Sequence, residues 1–109
     1  MYEPDQTFIA DSFMALYTRH GRPTGSRQEV AGRYEFCEDM AAQVSEICRT
    51  LQFNTDVSES TALRNCLDGL LAPPASVSAD EATWVMRRVA ELLDWHLPVW
   101  LLPENPPPK

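Results

Sequence analysis

Apolar residues recur at steps of three and four along most of this chain, the spacing that gathers them on one side of an α-helix. The clearest run begins at Val30 and continues through Tyr34, Cys37, Ala41, Val44, Cys48 and Leu51. Ser26 precedes it and Glu29 follows three residues later, a pair able to satisfy each other's free N–H groups at a helix start. Together they predict a helix over residues 27 to about 53. Phe36, Met40 and Ile47 widen its apolar stripe, so the helix should touch more than one neighbour. The stripe also fits a heptad register, but over only about three heptads, and bundle packing is the preferred reading over a coiled coil.

Ile9, Phe13 and Leu16 form a shorter stripe, with Phe8 and Tyr17 beside it, and predict a first helix over residues 7–19 closed by Gly21 and Pro23. A third helix is expected over residues 58–71, with Asp56 and Glu59 as its capping pair and Leu63, Cys66, Leu67, Leu70 and Leu71 facing inward. Pro73 and Pro74 stop it. Ser78 and Glu81 repeat the capping box and open a last helix to about residue 95, which Pro98 prevents from continuing. No strand pattern stands out. The fold class expected is all-α: a compact bundle of about four helices with an extended Pro-rich C-terminal strap. Residues 1–103 read as a single helical domain, and residues 104–109 as a flexible Pro-rich tail.

With 109 residues, one core can bury roughly two thirds of the surface of the unfolded chain. Sixteen acidic against nine basic residues leave a net charge of −7, which disfavours nucleic acid and anionic lipid as partners. No apolar run approaches the ~18 residues of a membrane span, and the acidic start M-Y-E-P-D-Q lacks the basic region of a signal peptide. The three cysteines show no C-x-x-C spacing and argue against a disulfide scaffold and for a reducing compartment. A cytoplasmic location is expected.

Candidate chemistry is sparse. Cys37 and Cys48 share a helix face but lie eleven positions apart, roughly 16 Å along the axis, too far to bridge or share a metal ion. All three cysteines occupy stripe positions and read as small buried hydrophobes. His20 and His96 stand at helix ends without a metal-ligating neighbour at helical spacing. Asp94 and His96 suggest no Ser–His–Asp site merely by being close. No catalytic residue, metal or cofactor is expected. Glu35, Glu38 and Asp39 lie away from the Val30–Leu51 stripe and form either a solvated face or an acidic contact patch. Arg19, Arg22 and Arg27 flank the start of the second helix, where N–H groups and positive charge could receive an anion. The loop G-R-P-T-G-S-R is not a phosphate loop, having three residues between its glycines and no lysine after the second.

The last helix carries the more unusual pattern. Ala82, Val85, Met86, Val89, Leu92 and Leu93 make one broad apolar arc, while Trp84 and Trp95 fall on the opposite, polar arc with Arg88 between them. Arg88 is within reach of a cation–π contact with Trp84. Two tryptophans on a polar face call for cover, from the first helix, from the strap with its own Trp100, Leu101 and Leu102, or from another molecule.

The strings S-R-Q-E-V-A-G-R-Y-E-F-C-E-D-M-A and S-A-D-E-A-T-W-V-M-R-R-V-A-E-L-L-D-W, with F-M-A-L-Y near the start, resemble a family of short bacterial proteins. Some members are described as ATPases with chaperone activity. A P-loop ATPase needs a Walker A sequence and a parallel sheet, and this chain offers neither, so the resemblance brings no functional residues with it. The function expected is a small cytoplasmic interaction module, an adaptor, regulator or chaperone-like subunit without catalysis, that binds a protein partner and self-associates as a homodimer. Trp84, Arg88, Trp95 and Trp100 are the candidate contact residues, with Glu35, Glu38 and Asp39 as a second patch. The alternative is an anion or small-ligand module using Arg19, Arg22 and Arg27.

Overall fold

The computed structural model describes residues 8–102. Helical residues make up 71% of it, in four helices accompanied by one small two-stranded sheet. The frame is α2 (Arg27–Thr55), 29 residues long. Its start is the expected capping box: Ser26 Oγ accepts from the Glu29 N–H at 3.1 Å, and Glu29 Oε1 accepts from the Ser26 N–H at 2.9 Å. Of the stripe, Val30, Cys37, Ala41, Val44 and Cys48 are buried, with Tyr34 and Leu51 half-buried against the same core. Met40 also packs inward, whereas Ile47 remains 60% exposed.

At the far end of α2, Asp56 adopts a left-handed conformation (φ 56°) and its N–H reaches the Gln52 carbonyl at 3.0 Å. Gln52 Nε2 donates across the turn to the Val57 carbonyl. Asp56 therefore ends α2 and does not cap α3 (Glu59–Leu71). The cap of α3 is Ser58, whose hydroxyl accepts from the Thr61 N–H, because the N-cap position needs the extended backbone that Ser58 has and Asp56 lacks. A loop with a cis peptide bond between Pro73 and Pro74 leads to α4 (Ala79–Leu93). The Ser78–Glu81 capping box forms as expected, and a second left-handed residue, Asp94 (φ 59°), closes the helix.

The N-terminal segment departs from the helix expected over residues 7–19. Only α1 (Asp11–Met14) is α-helical, followed by a 3-10 turn (Ala15–Tyr17). The chain then forms a minimal antiparallel ladder between β1 (Thr18–Arg19) and β2 (Arg22–Pro23). At the tip, His20 (φ 54°) and Gly21 (φ 78°) both have positive φ, the backbone that a two-residue hairpin turn requires. A stripe of so few residues does not offset helix nucleation. One turn suffices to seat Phe13, which is fully buried.

α2, α3 and α4 pack together around Leu63, Val85, Met86 and Val89, and small residues at Ala41, Ala62, Ala82 and Ala90 let the helix backbones approach. After Asp94 the chain turns back over α4. Leu101, in a 3-10 turn (Val99–Leu101), is 1% exposed. Arg87 Nε donates to the Leu101 carbonyl at 2.7 Å, and Trp100 Nε1 donates to Ser60 Oγ at 2.9 Å beneath the Arg64 guanidinium. The segment up to Leu102 thus lies on its own chain. Thr7, Pro103 and the tail expected over residues 104–109 lie outside the described residues.

Leu101→Ala should lower stability by about 2–4 kcal/mol, the cost of emptying a fully buried site, seen as a lower urea midpoint at unchanged slope. Truncation after Asp94 should cost more than that single change, because it also strips Arg87 of its carbonyl acceptors.

Candidate functional site

Phe13 is the hub of an aromatic cluster assembled from three separate parts of the chain. Its ring centroid lies 5.0 Å from Trp84, 5.3 Å from Tyr34 and 5.5 Å from Tyr17. Trp84 and Tyr34 also meet edge to face at 5.7 Å, a favoured geometry for ring quadrupoles. Trp84 is only 5% exposed, and its indole N–H donates to Ser12 Oγ at 2.9 Å. The polar arc of α4 is therefore covered by the N-terminal segment, and Trp84 belongs to the core.

That cover is incomplete, and its edge leaves a groove of about 820 Å³. Phe8, Leu16, Tyr34, Trp84, Trp95 and Leu97 give it apolar walls. Its polar lining is a connected set. Tyr34 Oη donates to Glu38 Oε2 at 2.8 Å, Arg88 Nε donates to Glu38 Oε1 at 3.1 Å, and Arg88 Nη1 donates to Glu91 Oε1 at 2.8 Å. Burial, then the hydrogen bond to Glu38, raises the Tyr34 hydroxyl above its ordinary pKa. Arg88 does not make the expected cation–π contact with Trp84, because its guanidinium turns to these two carboxylates. The cation–π pairs among the described residues are Arg33 over Phe36 at 4.8 Å and Arg64 over Trp100 at 5.1 Å.

Of the candidate contact residues, Trp84, Arg88, Trp95 and Glu38 converge on this one groove. Trp100 does not join them; it lies against Ser60 and Arg64 of α3, 37% exposed. Glu35 and Asp39 point to solvent. Arg19 and Arg22 face each other across the exposed hairpin, and Arg27 opens α2. The N-terminus of α2 is already occupied by its own Ser26 and Glu29 side chains. Cys37 and Cys48 are fully buried and Cys66 half-buried, all three as free thiols.

One charged centre escaped the sequence reading. Glu81, the capping residue of α4, is 3% exposed and binds three elements at once. Its Oε1 accepts from the Ser78 N–H at 2.9 Å and Arg33 Nη2 at 2.8 Å, while Oε2 accepts from Arg33 Nε at 3.0 Å and from the Tyr17 hydroxyl. Arg33 Nη2 also reaches the Ser76 carbonyl at 2.9 Å. Burial alone would raise the Glu81 carboxyl, but the hydrogen bonds from Arg33, Tyr17 and Ser78 outweigh it and hold the pKa at about 2. Burial and the neighbouring carboxylate push Tyr17 up to about 12. The sequence signal was the capping box, which accounts for the Ser78 contact but says nothing of the arginine arriving from α2.

Among the described residues, no group of three or more His, Cys, Asp or Glu side chains is placed to hold a metal ion, and no helix is long and apolar enough to cross a membrane. No protein-family model, curated protein or solved structure matches the chain.

Glu81 and Tyr17 define a pH window. Glu81 has a depressed folded-state pKa, so its contribution is present above the usual value of 4.5 and is lost as pH falls towards about 2. Tyr17 has a raised one, so its contribution is present below the usual 10.0 and is lost as pH rises towards about 12. Urea unfolding at a series of pH values should show the acid limb losing about 3 kcal/mol through Glu81. Glu81→Gln should lower stability at pH 7 and flatten that limb, while Tyr17→Phe should flatten the alkaline one.

Proposed function

We propose that the protein is a small cytoplasmic helical module that binds another protein through the groove between α1, α2 and α4, without catalysis, as an adaptor, regulator or chaperone-like subunit. The observation carrying this reading is the groove itself. Its aromatic floor is held by buried contacts before anything binds, and its polar lining is already paired. Such a surface loses little freedom when it is covered, the condition under which an apolar segment binds well. Trp and Arg are also the residue types in which interface energy concentrates.

Self-association is part of the same proposal. It draws on apolar surface outside the groove: Phe36 and Ile47 fall within about 20° of each other around α2, and Ile47, Phe53 and Val99 are 60%, 82% and 84% exposed. The anion-binding alternative is less favoured, since the helix N-terminus it would use is capped by the chain's own groups.

Phe8 offers the cleanest test, being 73% exposed and on the groove wall. Phe8→Asp should leave helicity and urea midpoint close to wild type yet weaken capture of a stoichiometric protein partner by about tenfold or more. Arg88→Ala should weaken it too. Equal capture by wild type and Phe8→Asp would sink the groove reading. A monomer in sedimentation equilibrium at low micromolar concentration would remove the self-association.

A further inference from the structure

α2 and α3 form an antiparallel helical hairpin about the short turn at residues 56–58. In such a hairpin, residues equally far from the turn come to lie side by side, since each helix rises about 1.5 Å per residue. Cys48 and Cys66 stand nine positions before and nine after Val57. Both are free, Cys48 fully buried and Cys66 half-buried, both are packed against the same core, and the two thiols are near enough for each to shift the other's pKa. Cys37 is different: it is on α2, roughly 16 Å along the axis from Cys48, and burial pushes its thiol up to about 11.

We propose that Cys48 and Cys66 are an oxidisable dithiol, which a hydroperoxide converts to a disulfide fastening α2 to α3.

The two thiols are not equivalent. The interaction with Cys48 lowers the pKa of Cys66, while the same interaction and then burial raise that of Cys48. Cys66 is also the more exposed of the two, so it is the attacking group. Its thiolate attacks the terminal oxygen of the hydroperoxide; the S–O bond forms, the O–O bond breaks, and the alcohol or water leaves with a proton. Cys66 is then a sulfenic acid. The Cys48 sulfur attacks the Cys66 sulfur, the S–S bond forms and the S–O bond breaks. The departing hydroxide leaves as water with the Cys48 proton. The pair of thiols gives up two electrons, and the peroxide accepts them. Burial of Cys48 beside Cys66 makes it the resolving thiol, because nothing must move far to bring the sulfurs together.

The full chain, fully reduced, would be treated with hydrogen peroxide, quenched, alkylated under denaturing conditions and mapped by mass spectrometry. The expected product is an intramolecular crosslink between the peptides holding Cys48 and Cys66, with Cys37 alkylated as a free thiol and full recovery on reduction by dithiothreitol. Cys48→Ser should lack the crosslink and instead accumulate a dimedone-reactive sulfenic acid at Cys66. Cys66→Ser should slow loss of the remaining thiols by about tenfold or more. Wild-type peptide mapping alone decides the matter if either variant fails to fold. Sulfenic or sulfinic acid at Cys66 without the Cys48 crosslink, a bridge between the Cys66 residues of two chains, or a bridge including Cys37 would each overturn the proposal.

Discussion

The buried carboxylate of Glu81 is the interaction on which the arrangement of helices depends. A charge at 3% exposure is tolerable only when fully paired, and every group that pairs it comes from a different place. Ser78 fixes the start of α4, Arg33 fixes the rotation of α2 against it, and Tyr17 fixes the end of the N-terminal segment. Arg33 also holds the loop before α4 through the Ser76 carbonyl. Apolar packing between α2 and α4 would tolerate sliding and rotation, since one aliphatic contact resembles another. A bidentate guanidinium–carboxylate pair does not. The centre therefore sets register as well as supplying the stability that falls away with acid.

That register is what makes the groove. With α2 and α4 fixed, Tyr34 and Trp84 face each other from adjacent helices and leave a slot that Phe13 fills. The Phe13 ring requires α1 to cross the polar arc of α4, and Ser12 answers the indole N–H that would otherwise be buried without a partner. α1 is a single turn that covers Trp84, while Trp95 is half-buried and lines the groove. The groove is the remainder of that face, with walls set by the same rings that close the core.

The long elements were legible because their signals are local. The stripe of α2 and the capping boxes at Ser26 and Ser78 each depend on residues within one turn of one another, and they formed where the spacing put them. The N-terminal segment was misread because its apolar spacing is compatible with a helix, whereas its true form depends on Phe13 finding a long-range slot and on His20 and Gly21 accepting positive φ. The role of Asp56 was misread for a related reason: an acidic residue near a helix boundary suits either neighbour, and only its backbone conformation assigns it to α2. The candidate site was half visible. Trp84, Trp95, Arg88 and Glu38 could be singled out individually, but their convergence depends on α2 and α4 coming together. Glu81 was hidden because its capping role already explained its presence.

The C-terminal segment could have been bait for a partner or a clasp for its own chain, and its polar contacts weigh towards the clasp. A segment held in reserve for another molecule should have its anchoring groups free, yet Arg87 is half-buried and directed at the Leu101 carbonyl, and burial lowers its pKa. Moving the segment away would expose Leu101 and leave a partly desolvated guanidinium without an acceptor, two losses that any partner would have to replace. The groove demands no such exchange: Phe8 is already exposed, and the charges beside it are already paired. A partner covering it would gain apolar burial at once, so the proposed protein contact is better placed at the groove than on the segment beyond Asp94, whose own contacts hold it to the helices.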